Sequence, residues 1–457
     1  MALRFYAPVW AQPREMVDLA RLAVPVALSR LSLPVMTVTD AVVLGNMAQF
    51  EVSFITLSWL VLSVAIAVGL GVLQGVQVFT AELNGNGQYE DTGRVFRRGL
   101  LVGAILSAVF TAIMILVAEP VFAASGLEPH VVEKTTAASH ILAYGLVGHM
   151  ACFVGTFYLE ALRKPKIVTV LMYAGAVINL IFNMAFVAGW WGFPEMGAEG
   201  VAWASTGSRA VVGVALLVVV WMMTPGFKSS KPAPPNEFVR QHTVGLGGAV
   251  ANVAEFLGFN LTFLMAAQYS LFAGTVYSLG VQPLFVSFNL FVGVATATSV
   301  RVAEAYGRKD FDGVRNAARL GVSTSIAVGV LVFVVMGLLS GLLADGMTAD
   351  NGEEVAKTVT ALTAVVFMAA IVSGFDGLQV VSSTALRAQE IVWSPAALHI
   401  TSYFVVMLPA VYWLTLVQGR GALGAMEGVL IGSVVAAVGQ TILLEIKTAR
   451  RKVLHAA

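Results

Sequence analysis

Five ionisable residues lie inside long apolar stretches of the sequence: the carboxylates Asp40, Glu255 and Asp376, and the arginines Arg30 and Arg209. An ionisable side chain at the centre of a bilayer costs about 2.5–3.5 kcal/mol on insertion scales, which makes such residues candidates for a functional site. Two carboxylates in a poorly hydrated cavity do not both ionise easily, because burial and mutual repulsion oppose the second charge. A proton or an alkali cation held between them relieves this repulsion. The pattern therefore favours cation-coupled antiport.

A structural alternative is that these acids form buried ion pairs with Arg30 and Arg209. The sequence leaves this alternative open, above all for Asp40. In that case the two arginines are structural partners and not substrate ligands. We expect further polar side chains within the apolar stretches to line a cavity, together with Arg30: Asn179, Asn183, Gln282, Asn289 and Gln379.

The composition indicates what positions these residues. Of the 457 residues, 58% are hydrophobic and 12% are charged, whereas a soluble protein carries about 25% charged residues. The single cysteine, Cys152, excludes an intrachain disulfide. The sequence contains no basic block of the kind that binds nucleic acid, so we expect no nucleic-acid partner. The chain is predicted to be an integral membrane protein in contact with the lipid bilayer.

Twelve apolar runs are long enough to cross a bilayer, since one crossing needs about 20 apolar residues. The predicted spans 1 to 12 are residues 17–44, 53–80, 96–118, 134–159, 167–188, 198–223, 241–267, 272–300, 317–343, 355–384, 395–417 and 422–445. Helices are required because lipid offers no partner to an unpaired backbone group. The predicted fold class is an all-α integral membrane protein with twelve transmembrane helices.

The positive charges predict the orientation of these spans. All but five of the 27 lysines and arginines lie near the chain ends or after even-numbered spans. The loops after odd-numbered spans hold only Lys134, Lys357 and Arg420. Because positive loops face the cytoplasm, we expect both termini to be cytoplasmic.

The chain also contains an internal repeat. FTAELNGNGQYEDTGRVFRRG (79–99) matches RVAEAYGRKDFDGVRNAARLG (301–321) at a constant offset, with Glu82 on Glu304 and Arg97 on Arg319. A Pro-, Ser- and Lys-rich segment lies at mid-chain. We expect an N-lobe over 1–223, a cytoplasmic linker over 224–240 and a C-lobe over 241–457. Since each half has six spans, a pseudo-two-fold axis along the membrane normal should relate the two lobes.

Three segments carry a resemblance to a known family. VPVALSRLSLPVMTVTDAVVLGNM (24–47) resembles the first span of the multidrug and toxic compound extrusion (MATE) family, in which a proline-bearing helix ends in Asp and then Gly. Residues 159–187 and 192–205 resemble the family's spans 4 to 6. FDGLQVVSSTALRAQE (375–390) resembles span 10 of the NorM branch, with Asp, Gln and Leu-Arg in order.

This resemblance implies export of small organic cations, drugs and other xenobiotics by alternating access, driven by inward Na+ or H+. It implies a multi-pass protein of the bacterial inner membrane, with no cofactor besides the coupling ion and no enzymatic activity, and we expect a monomer. By position, Asp40 is the N-lobe carboxylate, with Asn179 and Asn183 around it. Glu255 and Asp376 are the cation pair of the C-lobe, where Na+ or H+ binds.

Two residues depart from the family pattern. Ala388 follows Leu386-Arg387 where NorM-type members usually have Gly, and Arg30 is unusual in span 1. We expect Arg30 to tether Asp40 or Glu255 and so to influence which ion is used.

Other functions are weighed against this one. A flippase for a lipid-linked oligosaccharide, from the same superfamily, would carry several cationic residues in its cavity to hold pyrophosphate, whereas the candidates here are three acids and two arginines. A membrane enzyme would need a convergent set of nucleophile, base or metal ligands. The six histidines show no metal-ligand spacing.

Overall fold

The computed structural model describes residues 13–348 and 353–456. In these ranges twelve helices are long and apolar enough to cross a membrane, and no strand is present. The all-α class with twelve spans is confirmed. Keeping the numbering above, spans 1 to 12 are Pro13–Met47, Gln49–Gly85, Tyr89–Ala124, Pro129–Ala161, Pro165–Phe186, Gly197–Met223, Glu237–Tyr269, Leu271–Gly307, Phe311–Leu338, Val355–Arg387, Trp393–Val417 and Gly421–Arg451.

The α-helix is interrupted in the interior of three spans. Span 4 consists of Pro129–Tyr144 and Leu146–Ala161, separated at Gly145. Span 8 consists of Leu271–Gly280 and Gln282–Gly307, and its second helix begins beside Pro283, which lacks the N–H that a helix interior needs. Span 11 contains two π-helical stretches, Thr401–Met407 and Trp413–Val417. Wide turns of this kind often occur at functional sites.

One compact unit comprises Leu28–Ala249. Its spans 2 and 7 meet through glycines, because a Cβ atom built on Gly75 would lie 2.1 Å from the Gln241 carbonyl oxygen. A Cβ atom on Gly245 would lie 1.9 Å from the carbonyl oxygen of Val72. Such small residues allow membrane helices to approach closely.

Among the described residues, the second compact unit comprises 13–27, 250–348 and 353–456. Here the first part of span 1 packs on span 8, where a Cβ atom on Gly293 would lie 2.5 Å from the Ala23 carbonyl oxygen. The compact units therefore differ from the predicted halves 1–223 and 241–457. The physical reason is that the first turns of spans 1 and 7 pack outside their own sequence half. Residues 1–12 of the predicted N-lobe, with the N-terminus itself, lie outside the described residues.

The mid-chain segment is attached to the first turns of span 3. Arg94 and Arg98 both donate to the buried Glu237 carboxylate, each at 2.8 Å. The backbone N–H of Lys231 donates to Asp91 at 2.9 Å, and Arg97 donates to the Ser230 hydroxyl at 2.8 Å. This segment is a packed part of the unit that contains Asp40.

Candidate functional site

Asp40 lies at the centre of a polar cluster built by spans 1, 5 and 6. Asn183 donates to one of its carboxylate oxygens at 2.6 Å, and Ser205 donates to the other at 3.1 Å. Asn183 also donates to Asn179, one turn earlier on span 5, at 3.2 Å. All these side chains are buried. The structure thus brings together Asp40, Asn179 and Asn183, and it adds Ser205, which the sequence reasoning missed.

The expected tether from Arg30 to Asp40 or Glu255 is wrong. Arg30 binds both carboxylate oxygens of Glu160 at 3.0 Å, and Gln77 donates to the same carboxylate at 3.1 Å. Arg30 and Asp40 are ten residues apart on one helix, about 15 Å along its axis, so one cannot reach the other. Glu160 was missed because it lies at the end of span 4, where an acid is ordinary in sequence, yet its side chain is buried.

Arg209 does not form the ion pair with Asp40 that the alternative interpretation required. It is 7% exposed, and among the described residues it forms no ion pair. The hydrogen bond of its guanidinium group within that part of the chain is to the sulfur of Met36, at 3.4 Å. Arg30 and Arg209 therefore form no ion pair with Asp40 in the described part of the chain, although Arg209 and Asp40 interact electrostatically.

In the second unit, spans 7, 10 and 11 bring Glu255, Asp376, Gln379 and Tyr403 together. Gln379 lies one turn after Asp376 and donates to the Tyr403 hydroxyl at 2.7 Å and to Glu255 at 3.5 Å. Glu255 and Asp376 are close enough to repel each other as like charges. Asp376 and Gln379 are buried, and Glu255 is half-buried. Tyr403 lies in the π-helical stretch Thr401–Met407, which the hydropathy pattern could not predict.

Three buried oxygens in this cluster lack a hydrogen-bond partner by distance and angle in the described part of the chain: Asp376 Oδ1, Gln379 Oε1 and the Oγ of Ser433, which lies beside Asp376. Buried polar atoms in proteins are nearly always paired, so an unpaired group points to a missing water or ion. Carboxylate, amide and hydroxyl oxygens are the ligands that hard cations use. The donor set fits an alkali cation, and a proton on one carboxylate would serve equally to reduce the repulsion.

Arg387 adds a positive charge near this site. It lies in the last turn of span 10, is 4% exposed and interacts electrostatically with Glu255. The sequence placed it in the loop after the span, so its burial was not foreseen.

In the described part of the chain, Gln282 and Asn289 form no hydrogen bond with Asp40, Glu255 or Asp376. Gln282 is exposed and donates to the carbonyl oxygen of Ser278 at 3.4 Å. Asn289 is half-buried and donates to the carbonyl oxygen of Phe285 at 2.8 Å. Each amide therefore satisfies a carbonyl one turn earlier on span 8, and their role as cavity residues stays a prediction.

The family model described as MatE matches residues 25–185 and 249–413, which contain Asp40, Glu255 and Asp376. The chain belongs to the MatE family. A relative in Caulobacter vibrioides, a probable multidrug resistance protein NorM, is 32% identical over 428 residues, which are 93% of this chain and 90% of that protein. The multidrug resistance protein MdtK of Yersinia enterocolitica is 25% identical over 436 residues, 93% of this chain and 94% of the relative.

The fold of the MatE family is also found in solved structures. An outward-facing conformation of a multidrug resistance MATE family transporter of the MOP superfamily aligns with a TM-score of 0.85. The alignment covers 95% of this chain and 96% of that one, at 17% sequence identity. At this identity the likeness concerns the fold alone.

Proposed function

We propose that the protein exports organic cations from the cytoplasm in exchange for inward Na+ or H+, by alternating access. The observation that carries the proposal is the buried Asp376 oxygen that has no hydrogen-bond partner in the described part of the chain, beside Glu255 and Gln379. An ionised, unpaired carboxylate is expensive to bury. Binding a cation there removes the cost, and releasing the cation restores it, so occupancy of the site changes which conformation is favoured.

Substrate class and direction rest on the relatives. The Caulobacter and Yersinia proteins are called multidrug resistance proteins, and each is matched over nearly its whole length. Xenobiotic export across the bacterial inner membrane, with both termini in the cytoplasm, is the matching proposal for this chain. An inward monovalent cation gains about 2.3 kcal/mol per 100 mV of membrane potential, which makes it an adequate driver.

A pyrophosphate flippase is the weaker proposal. The unpaired groups around Asp376 include a carboxylate oxygen and an amide oxygen, which accept hydrogen bonds and repel phosphate. The cationic partner that such a flippase would need in this cluster, Arg387, is already neighboured by Glu255.

The test is ethidium efflux from proteoliposomes loaded with the dye, given an inward Na+ gradient or, separately, an inward proton gradient. We expect at least one gradient to accelerate efflux at least tenfold over liposomes with equal ion concentrations on both sides. Empty liposomes under the same gradients report passive leak. If neither gradient moves dye or other organic cations faster than this leak, the proposal fails and the flippase becomes the better account.

A further inference from the structure

A partly open cavity of about 120 Å³ lies in the unit Leu28–Ala249. Its polar wall includes Asp40, His149, Ser205 and Arg209, and its apolar wall includes Met36 and Trp59. The cavity is therefore lined by one carboxylate and two guanidinium groups, because Arg30, which is paired with Glu160, also lies in its wall.

Arg209 is the residue of this wall whose N–H donors are mostly left without an acceptor. Its side chain is more than nine-tenths buried, at 7% exposure, yet it forms no ion pair within the described residues. A guanidinium group carries five N–H donors. The acceptor it has in this part of the chain is the Met36 sulfur at 3.4 Å, a weak one. A buried cation left without an acceptor is strongly destabilising, so an acceptor from outside the protein is called for.

Within the described residues, the wall gives Arg209 an electrostatic attraction to Asp40 but no hydrogen bond to it. Asp40 receives hydrogen bonds on both oxygens, from Asn183 at 2.6 Å and from Ser205 at 3.1 Å. The Nδ1–H of His149 donates to the Gly145 carbonyl oxygen at 3.1 Å. The carboxylate of Glu160, nearby in the same unit, is taken up by Arg30 and Gln77. Arg209 is thus the available charged donor facing the cavity.

We propose that this cavity binds a carboxylate group, held by the guanidinium group of Arg209. Arginine is suited to this because its planar fork can give two parallel hydrogen bonds to one carboxylate. A cavity of about 150 Å³ holds a benzene molecule, so the volume here suits a carboxylate with a short chain of three or four carbons. The same chemistry serves the carboxylate end of a larger zwitterion, whose remainder extends beyond the cavity.

Asp40 sets the strength of this binding. It shares the cavity with the carboxylate and repels it, and this repulsion acts over several ångströms in a poorly hydrated space. Neutralising Asp40 should therefore strengthen binding, whereas neutralising Arg209 should abolish it. The two substitutions remove opposite charges and act in opposite directions. The site goes beyond the proposed function, because equilibrium binding requires neither an ion gradient nor transport.

The experiment is equilibrium binding of radiolabelled propionate to the purified full chain in lipid nanodiscs, with propionamide as the uncharged competitor. We expect saturable binding that excess propionate displaces and propionamide does not. Arg209→Gln should weaken it at least tenfold, and Asp40→Asn should strengthen it several-fold. Arg420→Gln is the matched control, because Arg420 is exposed, belongs to the other compact unit and pairs with Glu427 at 2.7 Å; it should leave binding unchanged. If Arg209→Gln does not fold, propionate binding by Asp40→Asn still tests the proposal: binding stronger than in wild type supports it, and unchanged binding overturns it.

A second arm separates the two sources of the carboxylate by using 4-trimethylammoniobutyrate as the probe. Arg209-dependent binding of propionate supports a free short-chain carboxylate. Arg209-dependent binding of the zwitterion alone supports the carboxylate end of a larger substrate. Absence of binding of both probes, or binding that is equal in wild type, Arg209→Gln and Asp40→Asn, overturns the proposal.

Discussion

At the residue scale, the buried charges fall into two kinds. Glu160 has Arg30 and Gln77 as close partners, and all of its bonds stay within one unit. One oxygen of Asp376 has no partner in the described part of the chain. A carboxylate whose oxygens are all paired inside the protein holds helices together, whereas a carboxylate with an unpaired oxygen can bind a ligand. The first kind predicts an effect on stability, and the second an effect on transport.

Glu160→Gln should clearly lower the unfolding temperature, because it leaves the Arg30 guanidinium buried beside a neutral amide. Removing one partner of a buried ion pair costs about 3–5 kcal/mol. The control is Glu199→Gln, whose ion pair with Lys134 is longer, at 3.4 Å, and largely exposed; such pairs are worth about 0–1 kcal/mol. Thermal unfolding of both variants in detergent would measure the difference. Equal unfolding temperatures would show that the Arg30–Glu160 pair is not a structural one.

The burial of a charged residue could be predicted from the sequence more accurately than the identity of its partner. Depth along a helix follows from counting residues, so Asp40 and Asp376 could be placed inside their spans. The direction of a side chain around the helix axis, and the neighbour that it meets, depend on helix packing. The sequence therefore does not predict that Arg30 pairs with Glu160, or that Glu160 and Arg387 are buried.

At the element scale, small residues and helix irregularities position the sites. Glycines let spans 2 and 7 touch backbone to backbone, as at Gly75 and Gly245. The π-helical stretch Thr401–Met407 presents Tyr403 to Gln379. Hydropathy predicted each of these spans, since it reports the apolar length of a helix. It could not predict the close contact or the wide turn, because both depend on a neighbouring helix.

Gly245→Ala should destabilise the protein, because the added methyl group would lie 1.9 Å from the backbone carbonyl oxygen of Val72 and would push spans 2 and 7 apart. The control is Gly341→Ala, where nothing lies within 4 Å of the added atom. There the better helix propensity of alanine should stabilise by up to about 1 kcal/mol. Unfolding temperatures should therefore move in opposite directions. A rise in both would mean that spans 2 and 7 are not in tight contact.

At the scale of the whole molecule, duplication and packing divide the chain differently. The repeated motifs define two halves of six spans, and the family model matches one stretch in each. The compact units change over within spans 1 and 7, after Ala27 and after Ala249. A sequence repeat records how the chain arose, whereas a compact unit records which helix segments touch. Each unit contains one carboxylate cluster. We propose that ion coupling takes place at the cluster of Glu255 and Asp376.

The most direct test of this assignment compares ethidium efflux by Asp376→Asn and Asp40→Asn in proteoliposomes, under the gradient that drives the wild type. Asp345→Asn, an exposed acid at the end of a short helix, is the control. We predict that Asp376→Asn loses at least nine-tenths of the gradient-driven rate while still binding ethidium, and that Asp40→Asn retains driven efflux. Wild-type efflux by Asp376→Asn, with loss in Asp40→Asn, would contradict the account and place coupling at Asp40.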